Sequence, residues 1–222
     1  MAESTEELDM EKVWILLFSS GQIVQAKTVH WDEKRDLALL RIIGAQANPF
    51  CSATAPIQLR GETFEEPPSC FTFPYVRLAE SAPKTNAKLL CIGHPGSEDL
   101  ETSVAGVATG YDVLHVSQGR FKGYARGQDR QDNSEIGALR HDCWTYWGHS
   151  GAPLVEMASE QKARSRTGKL DERGGRLVGL HSSWDEETGM RRGVGWEALR
   201  AFLEEGVISK KTGVVAEIPN TG

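Results

Sequence analysis

The chain has 222 residues, enough for one large all-β domain or two small ones, and its 39% hydrophobic and 25% charged content is that of an ordinary globular protein. Its formal net charge is −6, from 31 acidic and 25 basic residues, and no Lys/Arg block stands out, which argues against nucleic-acid binding through a basic face. Since no apolar run approaches the roughly 20 residues of a bilayer span, we also expect no membrane partner.

Cysteine usage and the start of the chain bear on the compartment. The four cysteines are Cys51, Cys70, Cys91 and Cys143. They contain no C-x-x-C pair, which argues against a disulfide scaffold and favours a reducing compartment, the cytosol or the nucleus. Residues 1–11 are acidic, so they predict a disordered tail and not a secretory signal.

His141, Cys143 and His149 are three candidate zinc ligands, but they lack a fourth ligand and a standard spacing. We therefore expect no metal and no cofactor.

The first half of the chain predicts strands. KVWILLF (12–18) is a short apolar run closed by turn formers, and IVQAKTV (23–29) alternates as a hairpin partner should. LALLRII (37–43) follows a charged turn. Residues 44–70 show no clear period and predict a loop or an inserted meander.

The second half predicts more short strands and one helix. The predicted strands are 87–93, 102–110, 152–155 and 176–184. Residues 117–140 are polar and glycine-containing and predict a long surface loop, and 156–175 predict a polar hairpin tip. WEALRAFLEE (196–205) is amphipathic, and residues 206–222 predict a loose tail. Short strands followed by a terminal helix predict an all-β sandwich or barrel pair.

The segment Gly148-His149-Ser150-Gly151-Ala152-Pro153 carries the clearest chemistry. A serine becomes a nucleophile when its hydroxyl is exposed, a base lies within hydrogen-bond reach, and donors face the developing oxyanion. Glycines on both sides of Ser150 allow the backbone to turn its amides toward that oxyanion. The proline then ends the turn and begins the next strand.

This segment, with three others in the same order, resembles the trypsin-like serine proteases, including the HtrA-like and fungal-type cytosolic branch. G-H-S-G-A-P-L is similar to the family's G-x-S-G-G-P-L box, with Ala152 in place of a glycine. The other three segments are RDLALLRI (35–42), AKLLCIGHPGS (87–97) and GRLVGLHSSW (175–184) with GVGW-EALRAFL (193–203). The resemblance implies a double β-barrel: an incomplete N-terminal barrel with an inserted loop over 12–85, and a C-terminal barrel with its helix over 86–205.

The resemblance also implies the roles of individual residues. Ser150 would be the nucleophile, and Asp36 would orient the base. The backbone amides of Gly148 and Ser150 would form the oxyanion hole. A protein or peptide substrate would be bound as an added strand by His181, Ser182, Ser183 and Trp184, with Trp144 at the pocket.

The family's catalytic histidine is expected ahead of the strand that KVWILLF resembles, where this sequence has eleven residues and no histidine. The six histidines present are His30, His94, His115, His141, His149 and His181. His149 should point away from Ser150 because adjacent side chains alternate, and the strand of His181 should pass nearest the serine. Without a base the hydroxyl stays protonated at neutral pH. We therefore expect a truncated or degenerate protease that is inactive as given.

Two alternatives remain open at this stage. The first is a non-catalytic pseudoprotease that binds peptides in the old cleft as a scaffold. The second is an α/β-hydrolase, because G-H-S-G-A approximates the nucleophile elbow G-x-S-x-G. Against the second, HDCWTYW is not the buried β-branched run expected before the serine, and Pro153 interrupts the helix that should follow.

Overall fold

The computed structural model describes residues 12–18, 21–46, 75–157 and 175–212, with side chains up to Gly206. The chain divides into two compact units. One comprises Met1–Trp31 and Ala38–Tyr75, and the other comprises Asp32–Leu37 and Val76–Gly222. The predicted boundary between residues 85 and 86 stays a prediction, as does the disordered tail over 1–11, which lies outside the described residues.

The first unit contains a three-stranded sheet in the order β1-β2-β3: β1 is Val13–Leu17, β2 is Ile23–Asp32 and β3 is Leu37–Ala45. β1 and β2 pair antiparallel, with Val13 opposite Lys27. Gly21 closes the connection with φ +80°, a value that glycine adopts without steric cost. Alternate residues of β2 are buried, Val24 and Ala26 among them, as the period of a half-buried strand predicts.

The second unit is built on a closed barrel of six antiparallel strands. Around the barrel the order is β5-β6-β7-β10-β9-β8, and β8 pairs with β5 to close the ring. The strands are β5 (Lys88–Gly93), β6 (His115–Tyr124), β7 (Leu139–His141), β8 (Pro153–Glu156), β9 (Arg176–Trp184) and β10 (Arg191–Gly195). A two-residue strand, β4 (Arg77–Leu78), adds parallel to the start of β9.

Inward side chains from every side of this ring form its core. The core includes Leu89, Cys91, Phe121, Leu139, Leu154 and Val178, each at most 2% exposed. Helix α1 (Trp196–Thr212) follows β10 directly and buries Leu199 and Phe202. Trp196 ties the helix start to the chain before β5, because its Nε1 donates to the carbonyl of Ala79 over 2.7 Å. Within the described residues, no helix has the length and apolar character of a membrane span.

The all-β architecture with a C-terminal helix is confirmed, and the α/β-hydrolase alternative is wrong because the strands around Ser150 form an antiparallel barrel. Residues 125–138 lie outside strands as predicted, but the rest of the loop predicted over 117–140 is wrong, because β7 begins at Leu139 and β6 continues to Tyr124. Two of its inward positions are Ser117, which is buried, and Gly119, where a Cβ would lie 2.4 Å from the Cys143 nitrogen. Small inward residues hide the apolar alternation that identifies a strand.

Two other segments differ from expectation. Residues 102–110 form no strand, and only an isolated bridge joins Glu98 to Ala108 there. The helix continues past Glu205 to Thr212, so the loose tail predicted over 206–222 is wrong for residues 206–212. Most of the loop predicted over 44–70 and most of the hairpin tip predicted over 156–175 lie outside the described residues.

Candidate active site

A cleft of about 720 Å³ opens on the barrel beside Ser150. One wall is the end of β9, and the other is the segment between β7 and β8. Aromatic and acidic side chains dominate the lining: Glu101, Tyr111, Trp144, Tyr146, Trp147, Trp184, Asp185, Glu186 and Glu187, with Arg191 as its cation. The aromatic residues are walls of this open space.

Ser150 is exposed at the tip of the turn that leads into β8. Two backbone hydrogen bonds of 2.8 Å fix this turn to β9: Gly151 donates to the His181 carbonyl, and His181 donates to the Ala152 carbonyl. The Ser150 hydroxyl donates to the carbonyl of Ser182 over 3.0 Å. The hydroxyl therefore lies in the cleft, and its proton is directed at a carbonyl oxygen, which is not a base.

The four residues before Ser150 form a tight turn. The amide of His149 donates to the Tyr146 carbonyl over 3.1 Å, and Gly148, the third residue of the turn, has φ +94°. A positive φ at this position is the signature of a type II turn and favours glycine. Within the described part of the chain, the amides of Gly148 and Ser150 have no hydrogen-bond acceptor, and both residues line the cleft.

The histidines near Ser150 are directed elsewhere. The His149 side chain is buried, with Nδ1 3.0 Å from the Tyr146 carbonyl oxygen, in agreement with its predicted orientation away from the serine. His181 lines the cleft, but its Nδ1 lies 3.1 Å from Nε2 of His141, which is fully buried. Among the described residues, no histidine accepts the Ser150 hydroxyl.

Burial keeps this histidine pair neutral. Loss of solvent lowers the pKa of His141 to about 3 and that of His181 to about 4. Positive charge on His181 further lowers the pKa of His141, and positive charge on His149 further lowers that of His181. A neutral imidazole can accept a proton in principle. At such low basicity it is a poor general base near pH 7, where an efficient base has a pKa close to the working pH.

Asp36 lies in the turn immediately before β3, with φ +54° and its amide donating to the Glu33 carbonyl over 3.1 Å. Its neighbours attach this turn to the chain between β6 and β7 and to helix α1: the Lys34 carbonyl accepts from the Asn133 amide over 2.8 Å, and Arg35 forms an ion pair with Glu205. Desolvation raises the pKa of the Asp36 carboxyl, although the residue as a whole is exposed. In the described chain no hydrogen bond joins Asp36 to Ser150 or to a histidine.

Residues 4–161 match the family described as the trypsin-like peptidase domain. This chain belongs to the trypsin-like peptidase family. No curated protein matches the chain. The described strands, a six-stranded barrel together with a second sheet, agree with the double-barrel fold of that family.

Solved structures of serine proteases resemble this trypsin-like peptidase domain. The serine endoprotease from Yersinia pestis is 17% identical with a TM-score of 0.52, covering 90% of this chain and 50% of that protein. The Rv3671c protease from M. tuberculosis is 14% identical in an inactive mutant form, with a TM-score of 0.47 and coverage of 85% and 67%. Its active form is 15% identical, with a TM-score of 0.46 and coverage of 82% and 58%. The chain thus spans between half and two thirds of these proteins.

The structure brings most of the predicted site residues of this trypsin-like domain to one cleft. Ser150, Gly148 and Trp144 lie on one side, and the segment from His181 to Trp184 lies on the other. Asp36 is not among the residues that line it. The roles predicted for all of these residues stay predictions.

Sequence reasoning missed several residues that shape the site. The amide of Gly96 donates to the carbonyl of Trp147, and the Thr109 hydroxyl donates to the carbonyl of Gly96, although the sequence predicts no role for either residue. Tyr111 packs edge-on against Trp144 with ring centroids 5.2 Å apart. His141, a candidate zinc ligand in the sequence, is the buried partner of His181. The described residues contain no group of three or more His, Cys, Asp or Glu side chains arranged to hold a metal ion.

Proposed function

We propose that this chain is the nucleophile-bearing part of a serine endopeptidase that hydrolyses peptide bonds through Ser150. The observation that carries the proposal is the arrangement at the turn: an exposed serine hydroxyl lies in the cleft beside two backbone amides, those of Gly148 and Ser150, that have no acceptor among the described residues. Acyl transfer needs this pairing of a nucleophile with oxyanion donors.

In this mechanism Ser150 Oγ attacks the carbonyl carbon of a bound peptide, and the carbonyl oxygen gains negative charge beside the two amides. Beyond His181, β9 has no strand partner on its β8 side among the described residues, so a peptide can add there as an extended strand. Ser182 and Ser183 would hydrogen-bond its backbone, and Trp184 would flank it. The amide proton of such a peptide would compete with the Ser150 hydroxyl for the Ser182 carbonyl.

The proton of Ser150 needs an acceptor during attack, and the histidines described near it do not provide one. We therefore propose that the chain as given turns over peptides very slowly, since loss of one triad member removes several orders of magnitude of rate. Asp36 is proposed as the carboxylate that would orient a base, supported by its place before β3 on a turn that Arg35 attaches to helix α1 and Lys34 to the chain between β6 and β7.

Labelling by a fluorophosphonate probe, with imidazole added as an external base, tests this proposal. We expect slow labelling at pH 7.5 that accelerates with imidazole concentration, and no labelling of the matched Ser150→Ala variant. Fast labelling without imidazole would show that the chain has its own base, and His181→Gln would then test the histidine that lines the cleft. A folded protein that stays unlabelled at every imidazole concentration would contradict the nucleophile assignment.

A second candidate function is a pseudoprotease that binds peptides without cleaving them. The hydrogen bond from Ser150 to the Ser182 carbonyl favours it, because the hydroxyl has no basic partner. Peptide binding that is unchanged in Ser150→Ala, combined with no fluorophosphonate labelling, would support this function over hydrolysis.

We further propose membership of the HtrA-like, fungal-type cytosolic branch and a location in the cytosol or nucleus. The order of the four motifs and the free thiols of Cys91 and Cys143 support this, although both thiols are buried. Burial raises the pKa of Cys91 to about 11 and that of Cys143 to about 12, so neither thiol ionises at neutral pH. Alkylation of denatured protein from its native source, with and without reductant, tests the compartment: equal labelling is expected.

A further inference from the structure

The peptide that joins Trp147 to Gly148 has two possible orientations. It is the central peptide of the turn from Tyr146 to His149, and type I and type II turns differ by a flip of this unit. A peptide is planar and trans, so its carbonyl and its N–H point in opposite directions. A flip would therefore exchange the Gly148 amide for the Trp147 carbonyl oxygen on the side that faces the cleft.

The neighbouring loop selects one of these orientations. The amide of Gly96 donates to the Trp147 carbonyl over 2.6 Å, so this oxygen points toward the loop and the Gly148 N–H points away from it. A Cβ on Gly148 would lie 2.6 Å from the His94 carbonyl oxygen and 2.9 Å from the Gly96 nitrogen. The turn and the loop are thus in direct backbone contact, and the contact holds the type II form.

Thr109 keeps the donor of this contact in place. Its hydroxyl donates to the Gly96 carbonyl over 2.9 Å, and its amide donates to the Ser97 carbonyl over 3.0 Å. Gly96 is therefore held on its carbonyl side by Thr109 and presents its N–H to Trp147.

We propose that Gly96 is a positioning residue that keeps the Gly148 amide directed into the cleft, and that the two amides there bind a carboxylate, the C-terminal group of a peptide. A carboxylate oxygen carries negative charge, as the carbonyl oxygen does during the reaction. The assignment of these amides to the reacting carbonyl therefore rests on the proposed hydrolase function, which it deepens. Carboxylate binding itself needs no activated serine. It is therefore measurable even in a chain without a base.

The test compares N-acetyl-trialanine with its C-terminal amide, by calorimetry in about 0.5 M NaCl to screen the acidic residues of the cleft. We expect the wild-type protein to bind the carboxylate about tenfold more tightly than the amide, which is modest beside the 10²–10³ effect of one oxyanion donor on rate. Gly96→Pro removes the N–H and should abolish the preference. Gly96→Ala keeps the N–H, with its Cβ 3.3 Å from the Trp147 oxygen, and should retain the preference.

A wild-type protein without a carboxylate preference, or a Gly96→Pro variant that keeps it, would overturn the proposal. If Gly96→Pro does not fold, Thr109→Val replaces it, with Thr109→Ser as the control that keeps the hydroxyl. We then expect the preference for the carboxylate to fall in Thr109→Val and to be kept in Thr109→Ser. An unchanged preference in Thr109→Val overturns the proposal. A carboxylate preference that depends on Gly96 in a protein that no fluorophosphonate labels would refute the hydrolase function and leave the role of Gly96 intact.

Discussion

The barrel and the three-stranded sheet differ in how their strands use apolar residues. In the barrel each of the six strands has a partner on both sides, and core side chains such as Leu89 and Leu154 are fully buried. In the sheet, β1 is an edge strand among the described residues, and its Ile15 and Leu17 are 63% and 70% exposed. Similar apolar runs in the sequence therefore reach opposite environments.

Because of this difference, the barrel and not the sheet provides the support for the site. The closed ring supports the turn around Ser150, since the hydrogen bonds from Gly151 to His181 and from His181 to Ala152 fix the turn to β9. Rigid support of this kind is what a site that must hold donors within a few tenths of an ångström requires. The sheet contributes β3, the strand that follows Asp36. The exposed apolar residues of the sheet add little to the stability of the sheet.

The largest expected effect contrasts one residue from each unit. Leu154→Ala in the barrel should lower the free energy of unfolding by about 2–5 kcal/mol, because it leaves a cavity in a packed core. Ile15→Ala on the sheet should change it by about 0.5 kcal/mol or less, because the side chain is mostly exposed. Urea denaturation of both variants measures this, and equal losses would show that Ile15 is covered in solution.

Acid should weaken the barrel through its buried histidine pair. Each histidine has a folded pKa below its ordinary value, so the unfolded chain binds more protons between pH 6.5 and about 4. Stability is then complete above pH 6.5 and is lost as the pH falls, by about 1.4 kcal/mol per pH unit for each histidine. His141→Asn should flatten the pH dependence measured by urea denaturation. An identical slope in the variant would mean that other groups cause the acid loss.

Glycines with positive φ provide a matched pair between the units. Gly21 in the sheet has open space around its missing Cβ, whereas Gly148 meets the His94 carbonyl at 2.6 Å. Gly21→Ala should cost about 1–2 kcal/mol from backbone strain alone, and Gly148→Ala should cost more because a backbone contact must also open. Thermal melts compare the two. Equal costs would indicate that the loop at His94 moves freely.

Three strands of the barrel, β5, β8 and β9, and the Ser150 turn could be predicted because their residues form apolar runs or carry an uncommon glycine pattern. The strand Arg176–Trp184 was predicted with its observed bounds. β6 was missed because its inward positions hold Ser117 and Gly119, which carry no hydrophobic signal. These positions are buried because another part of the chain, at Cys143, packs against them, and a single sequence does not show that contact.

The contacts inside the site were less predictable than the positions of its residues. That Ser150 and Ser182 approach one another followed from the predicted strand, but the hydrogen bond between them depends on a side-chain rotation. The contact from Gly96 to Trp147 joins backbone groups 51 positions apart, and no side chain in either segment indicates it. Backbone hydrogen bonds between loops leave no pattern in composition or periodicity.

The smallest expected effect concerns the acidic cleft, which contrasts with the apolar sheet. Glu186 and Glu187 are exposed residues of the cleft lining, so the double change to Gln should weaken binding of a lysine-containing peptide about two- to fivefold at low salt. The difference should disappear near 1 M salt, where screening acts within a few ångströms. Glu33→Gln, an exposed change outside the cleft lining, is the control and should leave the affinity unchanged. A loss of equal size for a neutral peptide would show that these residues act through shape and not through charge.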